Sequence, residues 1–74
     1  MMNAQARQEE LDAFARTYGW RRGRFGSWHE RGYTVSVGST GQPRKFVVAK
    51  RGRTKTFSDL EDVKRFVRGD RLTP

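Results

Sequence analysis

The strongest constraint on this chain's fold is a matched pair of strand patterns around Arg51-Gly52. Lys45-Phe46-Val47-Val48-Ala49-Lys50 precedes that dipeptide and Arg53-Thr54-Lys55-Thr56-Phe57 follows it. A two-residue link ending in Gly is a strong hairpin signal, because the favoured hairpin turns need positive φ. Such a turn sets residue 50 opposite 53, 48 opposite 55 and 46 opposite 57. One face then reads Phe46/Phe57, Val48/Lys55 and Lys50/Arg53, and the other reads Val47/Thr56 and Ala49/Thr54. The ribbon is apolar at its base and basic at its tip.

Other elements build around this hairpin. Leu11, Phe14, Ala15 and Tyr18 form an apolar stripe that predicts a helix over residues 4–18, with Gln8, Glu9, Asp12 and Arg16 facing water. Asn3 suits its N-cap, and Gly19 suits the position after its C-cap. Tyr33, Val35 and Val37 alternate with Thr34 and Ser36, the period of a half-buried strand. Gly38-Ser39-Thr40-Gly41-Gln42-Pro43 reads as the connecting turn. Ser58-Asp59-Leu60-Glu61 reads as a capping box opening a last helix, with Leu60, Val63, Phe66 and Val67 inward and Gly69 at its end. Residues 20–31 have no clean period and suit an irregular strand, a bulged hairpin or an aromatic-lined loop. Trp20 is expected to pack on the first helix.

The predicted fold is α+β: a small three-stranded antiparallel sheet covered on one face by the N-terminal and C-terminal helices (α-β-β-β-α), with room for an extra irregular strand at 20–28. Residues 1–74 form a single domain with flexible ends at 1–3 and 70–74. A chain of this size buries only about 60% of its unfolded surface, so a monomer or a homodimer is expected. Lacking Cys, it can build neither a disulfide framework nor a thiolate metal site. The longest apolar run is Phe46-Val47-Val48-Ala49, against about 20 residues for a membrane helix, and Met1-Met2-Asn3-Ala4-Gln5 lacks the pattern of a signal peptide. No membrane partner and a cytoplasmic location are therefore expected.

Charge points to function. The chain carries a net charge of +8, yet residues 21–55 hold ten Lys or Arg against one acid, Glu30. Basic charge confined to the predicted β region suggests a surface for a polyanion. Lys45, Lys50, Arg51, Arg53 and Lys55 sit on the hairpin, where a basic two-stranded ribbon could enter a DNA major groove. The same residues would also serve a solvated edge strand that resists pairing. Arg21, Arg22, Arg24 and Arg31 interleave with Phe25, Trp28, His29 and Tyr33, the residue types of a stacking platform. For each ring alone a core place is the stronger reading: Trp20 and Tyr33 are expected inside, and Phe25 and Trp28 are balanced between core and surface.

No catalytic set emerges. His29 is the only histidine, and Ser27-x-His29 lacks the third, orienting group. Asp59, Glu61 and Asp62 are explained by helix capping, and with Asp70 they bring no His to complete a metal site. The glycines never acquire phosphate-loop spacing. Neither an enzyme nor a cofactor is expected.

Residues 33–68 resemble the small DNA-binding domains in which a three-stranded sheet is backed by one helix, such as the arm-binding domains of phage integrases. Tyr33-Thr34-Val35-Ser36-Val37, the Arg51-Gly52 hairpin and Phe57-Ser58-Asp59-Leu60-Glu61-Asp62-Val63 carry the likeness, which implies Arg51, Arg53 and Lys55 as groove-facing residues. The chain departs from that pattern by beginning with a helix. The element order also resembles a double-stranded-RNA-binding domain, but the last helix opens with Asp59, Glu61 and Asp62 where such domains place a Lys-rich cluster. The expected function is non-catalytic nucleic-acid binding, with duplex DNA first and RNA second. The alternative is a small regulator, of phage or plasmid type, that binds and inhibits or modulates a larger protein.

Overall fold

A computed structural model describes residues 4–38 and 45–69. The chain runs α1 (Ala4–Thr17), β1 (Arg21–Arg22), β2 (Trp28–Glu30), β3 (Tyr33–Val37), β4 (Phe46–Lys50), β5 (Arg53–Phe57) and α2 (Leu60–Val67). The strands form one antiparallel sheet in the order β1-β2-β3-β4-β5. The expected class is therefore observed, with five strands where the sequence suggested three and an irregular extra. The stretch 20–31 supplies the other two as a short hairpin: Arg21 faces His29 and Arg22 faces Trp28. Its short strands and its glycines obscure the period that a longer strand would show.

The β4–β5 register is the one expected, with Phe46 opposite Phe57, Val48 opposite Lys55 and Lys50 opposite Arg53. Arg51 and Gly52 have φ of 52° and 82°, both positive as a type I′ turn requires. The same pattern recurs twice. Arg31-Gly32 joins β2 to β3 with φ of 54° and 82°, and Phe25-Gly26 tops the β1–β2 connection with φ of 54° and 76°. Positive φ suits the right-handed twist of the hairpins, but for Phe and Arg it costs on the order of 1 kcal/mol.

Pairing sets which side chains share a face. Trp28, Val35 and Val48 lie in one row with Lys55 at its edge, and Val37, Phe46 and Phe57 lie in the next. Both helices cover this side, where Leu11, Ala15 and Trp20 join Leu60, Val63 and Val67 in a single core. Burying a side chain such as Phe46 contributes roughly 1.5–3 kcal/mol. The opposite side carries Arg21, His29, Thr34, Ser36, Val47, Ala49, Thr54 and Thr56 and has no helix over it.

Helix ends depart slightly from expectation. α1 closes at Gly19, where Trp20 N donates to Ala15 O and Gly19 N to Arg16 O, a Schellman closure. Tyr18 lies beyond the helix and is 45% exposed, so the stripe's buried members are Leu11 and Ala15. The N-cap of α2 is Asp59 and not Ser58: its carboxylate accepts from Glu61 N at 2.9 Å. Glu61 pairs with Lys64 instead of reaching back to Ser58. A carboxylate one residue nearer the helix captures the same free amide and draws more from the helix dipole. Asn3, most of the 38–43 turn and both predicted flexible ends lie outside the described residues.

Candidate nucleic-acid interface

The basic residues do not form one face. They follow the rim of the sheet: Arg21 and Arg22 on the β1 edge, Arg53 and Lys55 on the β5 edge, Arg24, Arg31 and Arg51 at turns, Lys45 just before β4 and Lys50 at its end. Among the described strand residues, Arg21 at its margin and His29 are the ionisable side chains on the open face. Strands brought to a major groove by that face would lead with Thr34, Ser36, Ala49, Thr54 and Thr56. Arg53 and Lys55 instead point to the helix side, because they pair with Lys50 and Val48. The groove-facing trio implied by the resemblance is therefore divided between the covered face and a turn tip.

One group of cations does converge. Lys50, Arg51, Arg53 and Lys55 line an open cavity of about 680 Å³ together with Tyr33, Val48, Thr54 and Phe66. Among the described residues no carboxylate lines it. Its floor is aromatic, with the Phe66 ring 5.4 Å from Tyr33 and 5.3 Å from Phe57. Lys50 Nζ lies 4.6 Å from the Tyr33 centroid, and Lys55 Nζ lies 5.2 Å from that of Phe66. Each ammonium thus sits over an aromatic ring in a cation–π contact. This packing explains why Lys55 is tolerated in a row that otherwise holds Trp28, Val35 and Val48: the row ends at an edge strand.

The Arg31-Gly32 and Arg51-Gly52 turns stand at the same end of the sheet, because Tyr33 and Lys50 are neighbours across β3 and β4. Arg31 is already engaged, donating through Nη1 to Arg68 O at the end of α2 at 2.8 Å, where a cation favours the helix dipole. Nearby, Lys64 donates to Tyr18 Oη at 3.3 Å and pairs with Glu61 at 3.1 Å. These hydrogen bonds, from Glu61 first, hold the Lys64 ammonium above its ordinary range.

The other end of the sheet is organised by α1. Trp28, expected as a stacking ring, is 4% exposed and sits in the core. Its Nε1 donates to Asp12 Oδ1 at 2.9 Å, and Gln8 Nε2 donates both to that oxygen and to Gly26 O, each at 2.8 Å. Asp12 therefore does not simply face water. Partial burial pushes its carboxyl up, but the hydrogen bonds from Trp28 and Gln8, with Arg22 and Arg16 nearby, outweigh that and hold it below its ordinary value of 3.8. The Arg22 guanidinium lies 5.4 Å from the Trp28 ring centroid. Phe25 is the exposed ring of this stretch.

His29 accepts or donates a 3.2 Å hydrogen bond with Thr34 Oγ1 on the open face, while Ser27 Oγ donates to Arg24 O at 2.6 Å. The two do not form a catalytic pair. No three His, Asp or Glu side chains gather in a metal-holding group among the described residues. No helix among them is long and apolar enough to cross a membrane. Sequence reasoning missed Tyr33 and Phe66 as walls of the cationic cavity. The pairing of β3 with β4 is the signal that would have found Tyr33, but that register depends on the connection between them. Comparison with protein-family models, curated proteins and solved structures returned no match.

Proposed function

We propose that this chain is a non-catalytic nucleic-acid-binding protein that holds duplex DNA by its phosphate backbone. The observation that carries this reading is the convergence of Lys50, Arg51, Arg53 and Lys55 on one cavity whose described lining includes no carboxylate. Adjacent strands lie about 4.8 Å apart, so the Arg31 and Arg51 turns are separated by roughly 10 Å. That is about three nucleotide steps of 3.4 Å along one strand. A platform for single strands would use aromatic rings on an open sheet face, and here that face carries mainly Thr, Ser, Ala and Val. Apart from Arg21 at its margin, that face presents none of the Arg, Lys, Asn or Gln side chains that read base edges bidentately, which favours contact to phosphate over contact to sequence.

The test is a titration of the full chain with labelled duplex DNA, single-stranded DNA and RNA at two salt concentrations. Duplex should bind best and weaken steeply with salt. Arg51→Ala/Arg53→Ala/Lys55→Ala should bind more weakly, with a salt slope shallower by about 0.9 for each phosphate that the variant leaves unneutralised. Undiminished binding by that variant would remove the cavity from the reading. Absence of binding to every probe at low salt would favour a protein partner.

A further inference from the structure

The backbone contact leaves Phe25 unexplained. Its side chain is 100% exposed, and its φ of 54° is a conformation that bulky residues rarely adopt. The loop beneath it is firmly tied. Gly23 N donates to Ser27 O at 2.8 Å, Ser27 N to Arg24 O at 2.9 Å, and Gln8 anchors Gly26 O from α1. A Cβ at Gly23 would meet His29 Nε2 and lie 2.6 Å from Ser27 Oγ, so a larger residue there would displace one of these side chains. A strained, exposed ring held by its surroundings in this way marks a contact residue.

Between Trp20 and His29 the chain carries Arg21, Arg22 and Arg24 and no acid. Arg22 is engaged with the Trp28 ring. The Arg21 and Arg24 residues are exposed, and among the described residues their guanidinium groups make no hydrogen bond or ion pair. An outward ring that follows two guanidinium groups closely in the chain offers a stacking face with cations for the neighbouring phosphates. In an intact duplex both faces of a base are covered by its neighbours, whereas an unpaired base offers one.

We infer that Phe25 stacks on an unpaired base of the bound DNA, with Arg21 and Arg24 on the flanking phosphates. The inference rests on the proposed nucleic-acid reading. The molecule's longest dimension is 32 Å, about nine base-pair steps.

Two duplexes of equal length test it, one fully paired and one with a single bulged 2-aminopurine. Wild type should quench the 2-aminopurine and bind the bulged duplex at least about fivefold more tightly than Phe25→Ala does. The two proteins should bind the paired duplex alike. Phe25→Trp should keep the quenching and Phe25→Leu should lose it, while circular dichroism confirms that each variant is folded. Equal affinity of wild type and Phe25→Ala for the bulged duplex, or an equal loss on both duplexes, overturns the stacking role and leaves the backbone reading standing. If wild type binds neither duplex at low salt, the backbone reading fails and the stacking role fails with it.

Discussion

The β1–β2 hairpin is fastened to α1 by hydrogen bonds from Gln8 to Gly26 and from Trp28 to Asp12, whereas the β4–β5 hairpin is fastened to α2 by the rings of Phe57 and Phe66. Both hairpins are basic, and both top a turn with a non-glycine residue at positive φ. The polar anchor is directional, so it fixes the pose of a short loop that buries little surface. The apolar anchor is less particular about angle, and it lets the Lys50 and Lys55 ammonium groups lie over the Tyr33 and Phe66 rings.

This contrast can be broken at several depths. The largest effect should come from Phe46→Ala, which empties the apolar anchor next to Phe57. About 3–5 kcal/mol of stability should be lost in denaturant unfolding, an effect spread over the whole cooperative fold. Asp12→Ala should cost less, about 1–3 kcal/mol, because it strands the buried Trp28 Nε1 without its acceptor. Trp28→Phe should remove much of that penalty, and a double-mutant cycle should show coupling of at least about 0.5 kcal/mol. Additive effects in the cycle would mean that the hydrogen bond does not hold the loop.

Asp12→Asn probes the charge on this anchor. The folded carboxyl titrates below 3.8, so as pH falls the unfolded chain takes up the proton first. The stability it contributes is present above that value and disappears as pH drops through the folded value. The gap in thermal midpoint between wild type and Asp12→Asn should therefore be constant near neutrality and close in acid. The smallest effect is expected at the turns. Arg51→Asn fits positive φ better and should raise stability by about 0.5–1 kcal/mol while weakening duplex binding. A rise in both would show that Arg51 makes no contact with DNA.

Much of the fold was legible because its signals are local. Alternation over Tyr33–Val37, the Arg51-Gly52 turn and the glycines after each helix depend on residues within a few positions of one another. The expected β4–β5 register followed from turn length alone. The 20–31 stretch was not legible, since a two-residue strand and a three-residue strand are too short to display a period. The candidate site was half visible: its cations could be named, but not their grouping. Lys45 precedes β4 whereas Lys50 closes it, and Arg31, distant in sequence from Arg68, bonds to its carbonyl.

The sequence by itself determined the two helices and the strands β3 to β5, the basic tip of the central hairpin and the lack of any thiolate chemistry. Tertiary structure decided which aromatic went inside. Phe25 and Trp28 are three residues apart in equally basic surroundings, yet one is fully exposed and the other is core. The choice depends on the phase of β2 and on an acceptor at Asp12, sixteen residues away. Local pattern cannot encode such a contact, because its energy exists only once α1 has packed against the sheet.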